Sequence, residues 1–202
     1  MIKKWLYIFI LLCLHITLPA QNFVKDSLLK QLASAKEDTN KVMLLRNMGA
    51  AVANEEPAKA IEYWKQGVAL SRKLNYTLGL ARNFINIGTG YSYLGKYDSA
   101  IIYADSGIIY SKKINDPERL ALVYLNKGDN YRNLGDFTSA LLYCDTASKY
   151  AAQTTNIDRQ ARIYDIIADL YDDQKQYATA IIIQNKALEL YKKDSNALSA
   201  AT

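Results

Sequence analysis

Apolar residues recur along this chain with two different rhythms. From Trp5 to Leu18 they form a nearly unbroken run, interrupted only by His15 and Thr17. Further on they fall three and four residues apart, with polar residues between. Tyr97, Ala100, Ile101, Ala104 and Ile108 stand at i, i+3, i+4, i+7 and i+11, which is one stripe of an α-helix. Phe84, Ile87, Gly88 and Tyr91 follow the same rule one helix earlier. The second rhythm predicts long amphipathic helices in antiparallel pairs and an all-α fold.

The pairs repeat. Ala60, Ala100, Ala140 and Ala180 share a 40-residue spacing, and the flanking segments align around them. The same offset carries Tyr97 to Phe137 and Tyr177, Tyr63 to Tyr103 and Tyr143, and Gly67 to Gly107, Ala147 and Ala187. Upstream, Gly88 and Gly128 match Ala168, while Gly49 lies one residue out of frame, so the inner turn of the first repeat is expected to be one residue shorter. These registers predict repeats at 41–80, 81–120, 121–160 and 161–200. Gly95 and Gly135 are placed to end the first helix of a pair in the left-handed conformation; Lys175 stands there in the fourth repeat. Pro57 and Pro117 mark helix starts, with Asp116 as an N-cap.

Phe84, Ile87, Gly88, Tyr91, Gly95, Tyr97, Ala100, Tyr103 and Gly107 occupy, in order, the positions of the tetratricopeptide repeat (TPR) motif, and residues 41–200 resemble that family in a long 40-residue variant. The resemblance implies an α-solenoid, a right-handed superhelix of antiparallel helix pairs. It also implies a protein or peptide ligand in a concave groove lined by the first helix of each pair. The groove positions are then Arg46, Asn47, Arg82, Asn86, Thr89, Tyr93, Asn126, Asp129, Arg132, Asn133, Asp165, Asp169, Asp172 and Asp173. Asn86 and Asn126 share one register and Asn47 matches in the shifted repeat; an amide there can donate to and accept from a peptide backbone. Asp165, Asp169 and Asp172 at i, i+4 and i+7 suggest a groove that is basic early and acidic late, with room for a basic segment or a divalent cation at the acidic end.

The first rhythm reads as an address. Lys3 and Lys4, a 14-residue apolar run, Pro19 and Ala20 have the layout of a secretory signal peptide over 1–20, with cleavage after Ala20. The run is short of the roughly 20 residues of a spanning helix; an uncleaved anchor is the alternative. Leu12 before Cys13 argues against a lipoprotein. Cleavage would remove His15, Cys13 and two lysines, leaving no His, the single Cys144 and a net charge of +3 instead of +5. Such a chain offers no His-based triad or metal site and no disulfide, and its charge is too weak to argue for nucleic acid. No Gly-rich phosphate loop or nucleophile motif appears, and no enzyme activity, metal, cofactor or small-molecule substrate is expected.

Residues 21–40, with Phe23, Leu28, Leu29 and Leu32, predict a leading helix that caps the array. At the other end the pattern restarts at Ala197, so 201–202 read as the start of an incomplete further helix. A signal segment ahead of a TPR array resembles the amino-terminal portion of envelope sensor histidine kinases and related regulators of Gram-negative bacteria. The expected function is a non-enzymatic interaction module in the periplasm or envelope, as the sensor region of a signal-transduction protein. The alternative is a scaffold that self-associates through its last repeat.

Overall fold

The computed structural model describes residues 23–200, with side chains through residue 193. The expected signal segment at 1–20 and residues 201–202 lie outside the described residues. Every regular element among the described residues is an α-helix: α1 (23–34), α2 (Thr39–Val52), α3 (Pro57–Lys73), α4 (Thr77–Tyr93), α5 (Tyr97–Lys113), α6 (Pro117–Asn133), α7 (Phe137–Ala151), α8 (Ile157–Asp173) and α9 (Tyr177–Ala200).

Local chemistry sets the boundaries. Pro57 and Pro117 open α3 and α6, where a missing N–H costs nothing. Asp38, Asp116, Asp136 and Asn156 accept backbone N–H bonds at the starts of α2, α6, α7 and α8. Gly95 (φ +67°) and Gly135 (φ +79°) take the left-handed turn after α4 and α6, and Lys175 (φ +59°) is forced into it after α8. Asn75 and Asn115 adopt the same conformation after α3 and α5, a role the sequence pattern did not single out. The three left-handed inner turns make a matched experiment. Lys175→Gly should stabilise the fourth repeat by about 1 kcal/mol and Gly95→Ala should cost a similar amount, because no atom lies within 4 Å of a Cβ at Gly95 and only conformation is at stake. Urea melts of the two variants check the opposite signs.

Two sequence expectations about turns need correction. The inner turn of the first repeat is longer, not shorter: four residues separate Val52 from Pro57, against three between Tyr93 and Tyr97. Lacking a left-handed residue, α2 stops early and closes on its own carbonyl, with the N–H groups of Glu55 and Glu56 both donating to Val52 O. The pattern does not restart at Ala197 either, because α9 runs unbroken to Ala200. Residues 193–200 contain no Pro or Gly to end the ladder, and no following helix among the described residues packs against it.

From α2 onward each helix packs on the next in sequence. In addition α2 touches α4, α4 touches α6 and α6 touches α8, whereas α3, α5, α7 and α9 do not touch one another. The even-numbered helices are therefore crowded and form one continuous inner wall, and the odd-numbered ones splay apart on the outside. The array curves for that reason.

Small residues permit this crowding. Ala60, Ala100 and Ala140 are fully buried. A Cβ at Gly88 or Gly128 would come within 3.1 Å of the carbonyl oxygen of Ala100 or Ala140. Beside these contacts, rings stack in two matched columns. Tyr91–Tyr103, Tyr103–Phe84 and Phe84–Tyr110 have centroids 5.2, 6.3 and 5.4 Å apart. Tyr131–Tyr143, Tyr143–Tyr124 and Tyr124–Tyr150 give 5.2, 6.2 and 5.6 Å. Cys144 is buried in the same core, and burial pushes its thiol up to about 12, so it acts as a small packing residue. In the leading helix, Leu28 and Leu32 pack onto the first repeat, but Phe23 and Leu29 face solvent, contrary to the expected four-residue stripe.

Candidate functional site

The inner wall presents one row of side chains from each of α2, α4, α6 and α8. It carries a cleft of about 180 Å³ lined by Arg46, Arg82, Ile85, Asn86, Glu118, Arg119, Leu122 and Arg159. Arg46 and Arg82 were anticipated here. Arg119 and Arg159 were not: they sit in the first turns of α6 and α8, outside the stripe around the small residues. Arg119 pairs with Asp116. Arg159 Nε donates to Glu118 Oε1 at 2.8 Å, and Asn156 Nδ2 donates to the same oxygen at 2.7 Å. Arg46 Nη2 donates to Asn47 Oδ1 at 2.8 Å. Burial first, and then the nearby Arg82 and Arg119 charges, hold the Arg46 guanidinium below its ordinary range.

The three asparagines differ. Asn86 lines the cleft. Asn126 Nδ2 donates to Thr89 Oγ1 at 3.2 Å, tying α6 to α4, and Thr89 Oγ1 in turn donates to Ile85 O. Asn47 is occupied by Arg46, as above. Tyr93 is exposed at the end of α4, and Asn133 Nδ2 donates to Asp129 O within its own helix.

The acidic run does not form one cluster. Asp165 shares its register with the buried Ile85 and Leu125 and turns onto α9, accepting from Gln184 Nε2 at 2.9 Å and Tyr191 OH at 2.6 Å. Burial and this carboxylate push the Tyr191 phenol up to about 12. Asp169 and Asp173 instead accept from Arg132, at 3.1 and 2.6 Å, with Asp129 Oδ1 3.9 Å from the same guanidinium. Asp172 is exposed, in the register through which Ser92 and Arg132 reach the next inner helix. No set of three His, Cys, Asp or Glu side chains among the described residues is arranged to hold a metal ion. The expected polarity is also corrected. It runs across the wall, with arginines along one edge and Asp129, Asp169 and Asp173 around Arg132 along the other, because the charge at each edge comes from successive repeats.

The acidic edge has a pH signature. Burial raises the Asp129 carboxyl above its ordinary 3.8, and Asp169 adds to this while Arg132 opposes it. A raised carboxyl contributes stability that is present below 3.8 and lost as pH rises through the folded value. Arg132→Gln removes the opposing charge and enlarges that loss. The variant should be about 1–2 kcal/mol less stable than the parent at neutral pH, with the deficit shrinking on acidification toward about pH 4. Equal deficits in urea melts at both pH values would exclude this coupling.

These features define a class: a helical-repeat solenoid with a curved inner wall of polar and charged side chains. The tetratricopeptide repeat family model matches residues 119–193, which supports the resemblance over the third and fourth repeats. No curated protein sequence matches it. Among solved structures, aspartyl phosphate phosphatase F from Bacillus subtilis is similar at 15% identity and a TM-score of 0.77, over 88% of this chain and 47% of that one. A Rap protein complexed with competence and sporulation factor is similar at 14% identity and a TM-score of 0.74, over 87% of this chain and 52% of that one. BtubC from P. vanneervenii is similar at 14% identity and 0.70, over 88% and 74%. At these identities the likeness is one of fold.

Proposed function

We propose that this chain is a non-enzymatic interaction module of the Gram-negative envelope that holds an extended peptide or protein segment along its inner wall. The observation that carries this reading is the row of polar side chains on four successive inner helices, with Arg82 and Asn86 beside each other in the cleft. The binding unit is the four repeats 41–80, 81–120, 121–160 and 161–200. A Rap protein of similar fold is complexed with competence and sporulation factor, which supports ligand capture by such an array. The layout of residues 1–20 supports export, and export ahead of a TPR array supports a sensor region in a signalling protein. Nucleic acid and small-molecule substrates have no part in this reading, and a membrane is met only through the signal or anchor segment.

Recovery of partners from an envelope extract tests it. The chain should capture a defined protein, and the Asn86→Ala/Asn126→Ala double variant should recover several-fold less. Unchanged recovery would sink the asparagine assignment. An exported chain beginning at Gln21 supports cleavage. A second reading, self-association through the last repeat, is favoured by Ile181 and Leu188. They are 62% and 47% exposed, whereas Ile61 and Ile108, in the same two registers, are buried. Light scattering that stays monomeric on concentration excludes it.

A further inference from the structure

The outer face carries a cleft of its own, of about 230 Å³, in the furrow where α3 and α5 splay apart. Its floor is apolar: Val68 and Ala69 of α3, Phe84 and Ile87 of α4, and Tyr103 of α5. Its ends are cationic, with Lys65 and Arg72 of α3. The four α3 residues stand at i, i+3, i+4 and i+7, so they form one stripe with the charges about 10.5 Å apart along the helix. Neither cation has a carboxylate partner among the described residues. Both rest on rings instead. Lys65 Nζ lies 5.8 Å from the Tyr91 ring centre and donates to Tyr91 OH at 3.4 Å, and Arg72 Cζ lies 5.7 Å from the Phe84 ring centre. Long cationic side chains on a free surface reach out to water; the ring faces hold these two at the ends of the cleft.

The neighbouring furrow, between α5 and α7, fills the same registers from within the chain. Lys127 is 6% exposed, lies 4.4 Å from the Tyr143 ring centre and pairs with Asp105 of α5. One repeat earlier Ile87 stands for Lys127, Lys65 for Asp105 and Tyr103 for Tyr143. The ring is kept and the charge on the outer helix is inverted, but the inner helix sends nothing to meet it. The missing member is a carboxylate. Ala69, where α5 has the larger Ile109, keeps the space open.

We propose that the furrow between α3 and α5 docks an amphipathic helix of a partner protein, whose contact face reads acid, apolar, apolar, acid at i, i+3, i+4 and i+7. Its two carboxylates meet Lys65 and Arg72, and its apolar pair seats on Ala69 and the ring floor. A helix is the form that fits, because its i and i+7 residues have the same separation as the two cations. On one face of an extended strand side chains recur about every 6.6 Å, so no pair of them matches that spacing. Two splayed helices also leave the groove into which the ridge of a third packs. The site lies on the outer face and is independent of the peptide reading of the inner wall.

Fluorescence anisotropy on the full chain with labelled helical peptides tests it. Each peptide is an Ala- and Gln-based helix of about 20 residues. Its four face positions, at i, i+3, i+4 and i+7, carry Glu-Leu-Leu-Glu, Lys-Leu-Leu-Lys or Glu-Ser-Ser-Glu. The Glu-Leu-Leu-Glu peptide should bind about tenfold or more tightly than either of the others, and its margin over the lysine peptide should shrink with added salt. The Lys65→Glu/Arg72→Glu variant should reverse the preference in favour of the lysine peptide, which a misfolded chain could not do. Lys65→Gln/Arg72→Gln should level it. Asn86→Ala/Asn126→Ala, on the inner wall, should leave the parent's preference unchanged. Four results would overturn the proposal: an acidic peptide no tighter than the lysine one, serine serving as well as leucine, a preference that survives charge reversal, or a preference lost in the asparagine variant. The last would place the peptide on the inner wall and leave the reading of that wall standing.

Discussion

Trp64→Ala should be the most damaging single truncation in the chain, costing about 3–5 kcal/mol. The indole is 3% exposed and lies between α2 and α3, with Nε1 donating to Arg46 O at 3.0 Å. Its size is unusual for its register, which holds Ala104 and Cys144 in the next two repeats. The ring fits because two glycines give way to it. A Cβ on Gly49 would come within 3 Å of three atoms of the indole, and one on Gly90 would lie 2.9 Å from it. Glycines cannot relax into a void, so the cavity left by Ala stays open. The lost bond also frees the carbonyl of Arg46, so loosening should reach the arginine cleft. Urea denaturation followed by circular dichroism reads the loss. A cost near that of Cys144→Ala would show that the indole is not the keystone of the first pair.

The sequence pattern reaches the fold further than the site, and the reason is physical. Backbone crowding needs Ala or Gly wherever two helices close, so Ala100, Gly88 and Gly107 recur at a fixed spacing and betray the repeat. Left-handed turns favour Gly, and Gly95 and Gly135 mark two of them. Asn75 and Asn115 carry the same turn without a unique composition. The wall's charge obeys no such periodicity. Arg46, Arg82, Arg119 and Arg159 converge on one cleft although their separations are 36, 37 and 40 residues. Only curvature brings them together. Asp165 shows the converse. Its spacing places it with Asp169 and Asp172, but its register is that of the buried Ile85 and Leu125, so it turns to α9. Register with the buried positions would have separated it from the others.

Leucine placed in turn at the four register alanines should give an uneven series. Ala60, Ala100 and Ala140 are wholly buried, whereas Ala180 is 7% exposed. At Ala100 and Ala140 the paired helices close to backbone distance: the Cβ position of Gly88 lies 3.1 Å from Ala100 O, and that of Gly128 lies 3.1 Å from Ala140 O and 3.3 Å from Cys144 N. Backbone cannot swing aside as a side chain does, so an isobutyl side chain in place of the methyl must force the helix pair apart. Such overpacking costs about 1–3 kcal/mol, and these two sites should lie at the upper end. Separating α4 from α5 or α6 from α7 also strains the inner contacts α2–α4, α4–α6 and α6–α8 that set the curvature. The loss should therefore appear as a lower melting temperature for the whole array. Ala180→Leu pushes α9 away from α8 with no later helix packed on the pair among the described residues, and should cost least. Thermal melts of the four variants beside an exposed control, Ile102→Leu, order the series. A cost at Ala180 equal to that at Ala140 would mean that the closure of each pair, and not its coupling to its neighbours, limits stability.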